Sequence, residues 1–343
     1  MEESKIVDNG TAENRISEKK RGITLVEAVT QALAYELEND ADVVVLGEDV
    51  GCNGGVFRAT DGLEEKFGKH RIIDTPLAES MIAGLCVGMA TQGIKPVAEF
   101  QFMGFIYPAY DQIINHIARM RNRTRGRLSC PVVLRAPYGG GIHAPEHHSE
   151  STEAIFAHIP GIRVVIPASP ARAYGLLLAA IRDPDPVVFL EPKRIYRNIK
   201  QIVPDNGKAL PLDRCFLLQE GSDVTLVTWG AMVIETMQAA KSMASQGISV
   251  EVIDVATIKP IDMVTIITSV EKTGRCVIIH EGARTCGVGA EISAQLAEHA
   301  LHYLEAPIMR VTGYDTVMPL YRLENHYLPS VQRILDAIDC VLE

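Results

Sequence analysis

Short β-branched runs alternate with longer helical patterns along nearly the whole chain, and no other feature restricts the fold as much. From Gly22 the chain reads as a helix, ITLVEAVTQALAYELEND, followed by a strand, DVVVLGED. Thr24 with Glu27 three residues on is a capping-box signature, and the apolar residues behind it recur at helical spacing. RIID, KPVAEF, PVVLRAP, GIRVVIP and PVVFLEP read as further strands. AESMIAGLCVGMATQG, PAYDQIINHIARM and PARAYGLLLAAIRD read as helices. Such alternation predicts a mostly parallel sheet with helices on both faces. Sheets of this kind bind ligands just outside the carboxyl ends of their strands.

After Pro192 the pattern is lost over KRIYRNIKQIVPDNGKALPLDR, which reads as a linker. It then resumes. DVTLVTWG, SVEVIDV, RCVIIHE and PIMRVTGYD read as strands. AMVIETMQAAKSMASQG, IDMVTIITSVEKTG, GVGAEISAQLAEHA and VQRILDAIDCVLE read as helices. A length of 343 residues suits two domains. The expected division is a disordered polar tail over 1–21, a larger α/β domain over 22–200, a linker over 201–218 and a smaller α/β domain over 219–343.

Charge and cysteine usage exclude several classes. A net charge of -10 argues against a nucleic-acid groove. The arginine-rich stretch ARMRNRTRGR, Ala118 to Arg127, reads as a solvated helix end facing a partner. The longest nearly apolar run, Met81 to Ala90, is far short of the roughly 20 residues of a membrane span. The N-terminus lacks an apolar signal core and is too acidic for a transit peptide. The seven cysteines form no CxxC pair, which suits a reducing compartment and gives no zinc spacing. A bacterial cytoplasm is expected rather than a mitochondrial matrix.

Three stretches carry candidate chemistry. GGGIHAPEHHSES places His143, His147 and His148 after three glycines, at the end of a predicted strand. A catalytic histidine, a hydrogen-bonded structural loop and a zinc site all fit it. Pro145 excludes a helical zinc motif. In IIDTPLAES, Glu79 falls at a helix start, where the helix dipole alone would favour a carboxylate. In AEFQFMGFIYPAYDQ, Phe100, Phe102, Phe105 and Tyr107 fill core, and Phe105 also suits stacking on a flat heterocycle. CGVGAE lacks the third glycine of a dinucleotide fingerprint.

In order, GEDVGCNGGVFRAT, RIIDTPLAES, AEFQFMGFIYPAYDQI, the GGG–EHHSES loop, PGIRVVIPASP, RDPDPVVFLEPKRIYR, KTGRCVIIHE and LEAPIMRVTGYDT resemble one family. It is the β subunit of the E1 component of 2-oxo acid dehydrogenase complexes, and the resemblance runs from about Gly22 to the C-terminus. It implies a transketolase-like pyrimidine-binding domain followed by a transketolase C-terminal-like domain. It implies thiamine diphosphate as cofactor. Glu79 matches the glutamate that hydrogen-bonds N1′ of the aminopyrimidine and so favours the tautomer that activates the thiazolium C2. Phe105 matches an aromatic contact to that ring. His148 matches a histidine near the reacting carbons, implicated in transfer to the lipoyl group. His143 and His147 have no carried-over role. Val132, Ala180, Ile181, Asp183 and Asp185 match a structural potassium site.

The chain has no GDG motif, with which thiamine enzymes hold magnesium and the diphosphate. The resemblance therefore implies an E1 α subunit that supplies magnesium and the diphosphate site, in an α2β2 heterotetramer. An E2 lipoyl acyltransferase core would dock on the C-terminal domain. The motifs lean slightly to a branched-chain 2-oxo acid such as 3-methyl-2-oxobutanoate, with pyruvate as the alternative. A nicotinamide-dependent oxidoreductase and a non-catalytic scaffold subunit are the readings from other classes.

Overall fold

The computed structural model describes residues 22–343, so the tail expected over 1–21 lies outside the described residues. In chain order the strands are β1 (Val43–Gly47), β2 (Ile72–Asp74), β3 (Lys95–Glu99), β4 (Val133–Tyr138), β5 (Arg163–Val165), β6 (Val187–Pro192), β7 (Phe216–Gln219), β8 (Val224–Thr228), β9 (Val250–Asp254), β10 (Thr257–Lys259), β11 (Cys276–Ala283) and β12 (Met309–Gly313). They form two sheets, ordered β10-β5-β6-β4-β3-β1-β2 and β12-β11-β8-β9-β7. Each sheet is parallel except at one edge, where β10 runs against β5 and β7 against β9.

The parallel strands are β-branched because both their faces are covered. Val45, Val97, Val133 and Val187 stand opposite one another across four strands. All four are buried, and each contributes about 1.5–3 kcal/mol of burial. On one face the helices Leu25–Asn39 and Pro170–Arg182 pack together. The capping box of Thr24 and Glu27 starts the first of these. On the other face lies the helix Glu79–Thr91 with the segment 103–123.

That segment departs from the single helix expected over 108–120. It begins as a 3-10 turn, Met103–Ala109, and widens to a π-turn at Ile113–Ile117 before a last short helix, Met120–Arg123. Pro108 has no N–H to donate, which suits the irregular first turns. The second sheet is also more entwined with the first than two alternating patterns suggest. β10 comes from the second half of the chain yet completes the first sheet. Trp229, Ile253 and Ile278 share one core with Ile166 and Leu190. β7 begins at Phe216, inside the stretch read as linker. Among the described residues no helix is long and apolar enough to cross a membrane.

Candidate active site

The carboxyl ends of β3, β4 and β6 are tied by one buried cation. Arg135 is 1% exposed and donates to Glu99 at 2.9 Å and to both oxygens of Glu191 at 2.7 and 3.0 Å. The Tyr196 hydroxyl adds a bond to Glu191 at 2.6 Å. This network stiffens the strand ends from which the candidate residues project.

Beyond β4 the chain leaves as a loop that Gly139 closes by donating its N–H to the Glu150 carbonyl at 2.9 Å. Pro145 leads into a single 3-10 turn, Glu146–His148. That turn sets the His148 ring against Phe102 and Phe105, with centroids 4.6 and 5.0 Å away and near-perpendicular planes. Nδ1 of His148 is buried and has no hydrogen-bond partner among the described residues. A buried polar atom without a partner is costly, so an aromatic cradle holding one is a place for a polar ligand. His147 is exposed and tilts on Phe105 at 5.1 Å. His143 is exposed, has left-handed backbone (φ 60°), and lies 3.5 Å from Glu324.

Phe102 extends the wall to Phe57, 5.4 Å away, and Phe57 packs on Tyr196 at 5.3 Å. Gly104 lets the wall and the loop meet, because a Cβ there would stand 2.1 Å from the His147 carbonyl oxygen. Glu79 is the first residue of its helix, half-buried, behind an N-cap residue, Ala78, whose side chain makes no cap bond. The next residue, Ser80, hydrogen-bonds the Pro108 carbonyl, so this helix start rests on the turn that carries Phe105. The Glu48 carboxyl at the end of β1 is held above its usual range by burial, then by the charges of Asp49 and Glu79. Phe105 and His148 are thus brought together directly, and Glu79 joins them through the 103–109 turn.

The glycines of the loop stand against side chains that arrive from later in the chain. A Cβ on Gly139 would stand 2.8 Å from a Glu281 oxygen, on Gly140 2.4 Å from the Met318 methyl, and on Gly141 2.2 Å from Arg194. Glu48, Phe102, Glu281 and Glu324 were missed as site neighbours. Phe102 was legible as one of a cluster of aromatics; the two distant glutamates gave no local signal.

The five residues matched to a potassium site meet where the helix Pro170–Arg182 ends. The Cys130 N–H reaches the Pro184 carbonyl, and the Val187 N–H reaches the Val132 carbonyl. Pro184 has no N–H for the Ala180 carbonyl. The Asp185 N–H goes to the Asp183 carboxylate at 2.8 Å, not to the Ile181 carbonyl. Unsatisfied helix-end carbonyls suit a hard cation. The carboxylates are less available than expected, since Arg163 takes Asp183 and Arg121 takes Asp185. Among the described residues no group of three or more His, Cys, Asp or Glu is placed to hold a metal ion.

Two successive α/β units, with a candidate site at the strand ends of the first, are the architecture of transketolase-like proteins, and sequence matches place the chain among them. Residues 21–198 match the family described as Transketolase, pyrimidine binding domain, and residues 214–334 match Transketolase, C-terminal domain. A solved structure described as a split gene transketolase, inactive beta4 tetramer, aligns with TM-score 0.78 at 25% identity, covering 94% of this chain and 98% of that one. The pyruvate dehydrogenase E1 component subunit beta of Acholeplasma laidlawii is 51% identical, over 91% of this chain and 95% of that protein. Its namesake from Bacillus subtilis is 47% identical, over 94% and 99%. The chain belongs to the β subunits of the E1 component of 2-oxo acid dehydrogenases.

Proposed function

We propose that the chain is the β subunit of a pyruvate dehydrogenase E1, active only with an α subunit in an α2β2 heterotetramer. The observation that carries this is the half-site itself. It has an aromatic wall, a histidine with an unpartnered buried nitrogen and a helix-start glutamate, but no diphosphate motif in the chain. That set fits the aminopyrimidine end of thiamine diphosphate. The α subunit would hold the diphosphate and its magnesium. The exposed Leu77, Met81 and Leu85 beside Glu79 suit burial against that partner. Two relatives named as pyruvate enzymes, 51% and 47% identical, favour pyruvate over the branched-chain substrate to which the motifs leaned. They also support a bacterial cytoplasmic setting.

When bound, thiamine diphosphate supplies the carbanion chemistry that loosens the bond to the departing carboxylate. This chain's residues orient and move protons. Glu79 would exchange a proton with the aminopyrimidine, and Phe105 with Phe102 would offer that ring an aromatic wall. His148 gives or takes a proton near the reacting carbons during transfer to the lipoyl group of E2. A potassium ion among the carbonyls of Val132, Ala180 and Ile181, with Asp183 and Asp185, would brace the helix end. The second α/β unit would dock the E2 core.

The test is co-expression with an α subunit, followed by assays of pyruvate against 3-methyl-2-oxobutanoate. Activity should require α subunit, thiamine diphosphate and magnesium, and should favour pyruvate. Decarboxylation by the chain alone would sink the proposal. Tight NAD binding by the chain alone would point to an oxidoreductase, and full complex activity in His148→Ala to a scaffold.

A further inference from the structure

The loop that carries His148 is gripped from the far half of the chain. Glu281, on β11, and Glu324, on the short helix Tyr321–Tyr327, are 3% and 1% exposed. One Glu281 oxygen accepts from the Gly140 N–H and from the Ser151 hydroxyl, the latter at 2.7 Å. It therefore holds both feet of the loop. Glu324 accepts from the N–H groups of Gly141 at 2.7 Å and His143 at 3.1 Å.

A cation completes the arrangement. Lys193, just beyond β6, is 4% exposed, donates to the Gly139 carbonyl and faces the charges of both glutamates. Its ammonium lies 5.7 Å from the centroid of Phe102, the ring on which His148 packs. Hydrogen bonds to a carboxylate are roughly twice as strong as neutral ones, so two buried glutamates can hold a glycine-rich loop in one shape. Joining the two halves does not need them. The shared core of Trp229, Ile253 and Ile278 with Ile166 and Leu190, and the crossing strand β10, already do that.

We propose that Glu281 and Glu324 are positioning residues that fix the Gly139–Ser151 loop so that His148 stays on the Phe102–Phe105 wall. The second half of the chain then takes part in catalysis, by holding the histidine of the first half. This rests on the role proposed above for His148.

The experiment uses the α2β2 enzyme with its E2 and compares Glu324→Ala, Glu324→Gln and His148→Ala. Hydrogen–deuterium exchange of the 139–151 peptide is followed alongside kcat and KM. Glu324→Ala should raise exchange in that peptide about tenfold and lower kcat at least tenfold, with KM for the 2-oxo acid within twofold. Glu324→Gln keeps one acceptor oxygen and should recover much of the lost rate. Should Glu324→Ala fail to fold, Ser151→Ala, which removes the hydroxyl that Glu281 holds at the loop's second foot, gives the same two readouts. Unchanged exchange, or raised exchange with an unchanged kcat while His148→Ala is inactive, would overturn the positioning role alone. Full activity in His148→Ala would bring down the reading beneath it and the proposal together.

Discussion

Tyr138 donates its hydroxyl to the Glu153 carboxylate at 2.9 Å, and both residues are 2% exposed. The Trp229 indole N–H reaches the other oxygen at 3.3 Å. Burial pushes the Glu153 carboxyl up to about 7, and the nearby charge of Glu281 adds to the effect. The folded protein therefore binds a proton here that the unfolded chain, titrating near 4.5, releases earlier. The stability this contributes is complete below the unfolded value and is lost as pH rises through about 7. Thermal unfolding at pH 5.5 and pH 8 should show a drop in Tm that is smaller in Glu153→Gln, in which nothing ionises.

Arg135 neutralises two buried glutamates, so its removal leaves both uncompensated. Arg135→Met should cost about 3–5 kcal/mol, the range for breaking a buried ion pair. A urea titration that places its midpoint beside that of the unaltered chain would contradict the account.

Glu79 is half-buried at a helix start, so Glu79→Gln should fold normally. Loss of a positioned proton donor and acceptor lowers rates by roughly 10²–10⁴-fold. In reconstituted α2β2 enzyme, C2-proton exchange of bound thiamine diphosphate should slow by that order. Exchange at the ordinary rate would remove Glu79 from the mechanism.

His148 should matter most where the acyl group passes to E2. His148→Ala is expected to lower the full-complex rate by about 10²-fold, within the range for a positioned acid or base. An assay with an artificial electron acceptor, which bypasses the lipoyl group, should show a smaller loss. Equal losses in both assays would place the residue at an earlier step.

Gly104 is the contact point between aromatic wall and histidine turn. Gly104→Ala forces the His147 carbonyl away, since the new Cβ would stand 2.1 Å from it. Overpacking of this kind costs about 1–3 kcal/mol. The variant should lose activity while keeping most of its stability, as seen by kcat beside Tm.

The alternation of strands and helices was legible because it rests on local residue types. Thr24 and Glu27 announce a helix through their own hydrogen bonds, and Gly274 ends one in the left-handed conformation at φ 69°. Glu79 at a helix start was legible for the same reason. The irregular turns within the helix expected over 108–120 were not, because its apolar spacing is helical while Pro108 and packing against the helix Glu79–Thr91 set the turns.

By itself, then, the sequence determined the two α/β units and singled out Glu79, Phe105 and His148 as candidates. Only the tertiary structure decided how the halves interlock. β10 is three residues long, too short to show a period, and joins the first sheet through Val164 and Val165. The grip of Glu281 and Glu324 on the glycine loop links groups 130 to 183 positions apart. Such pairings leave no local pattern, because they exist only once burial has brought distant polar groups together and left them no other partners.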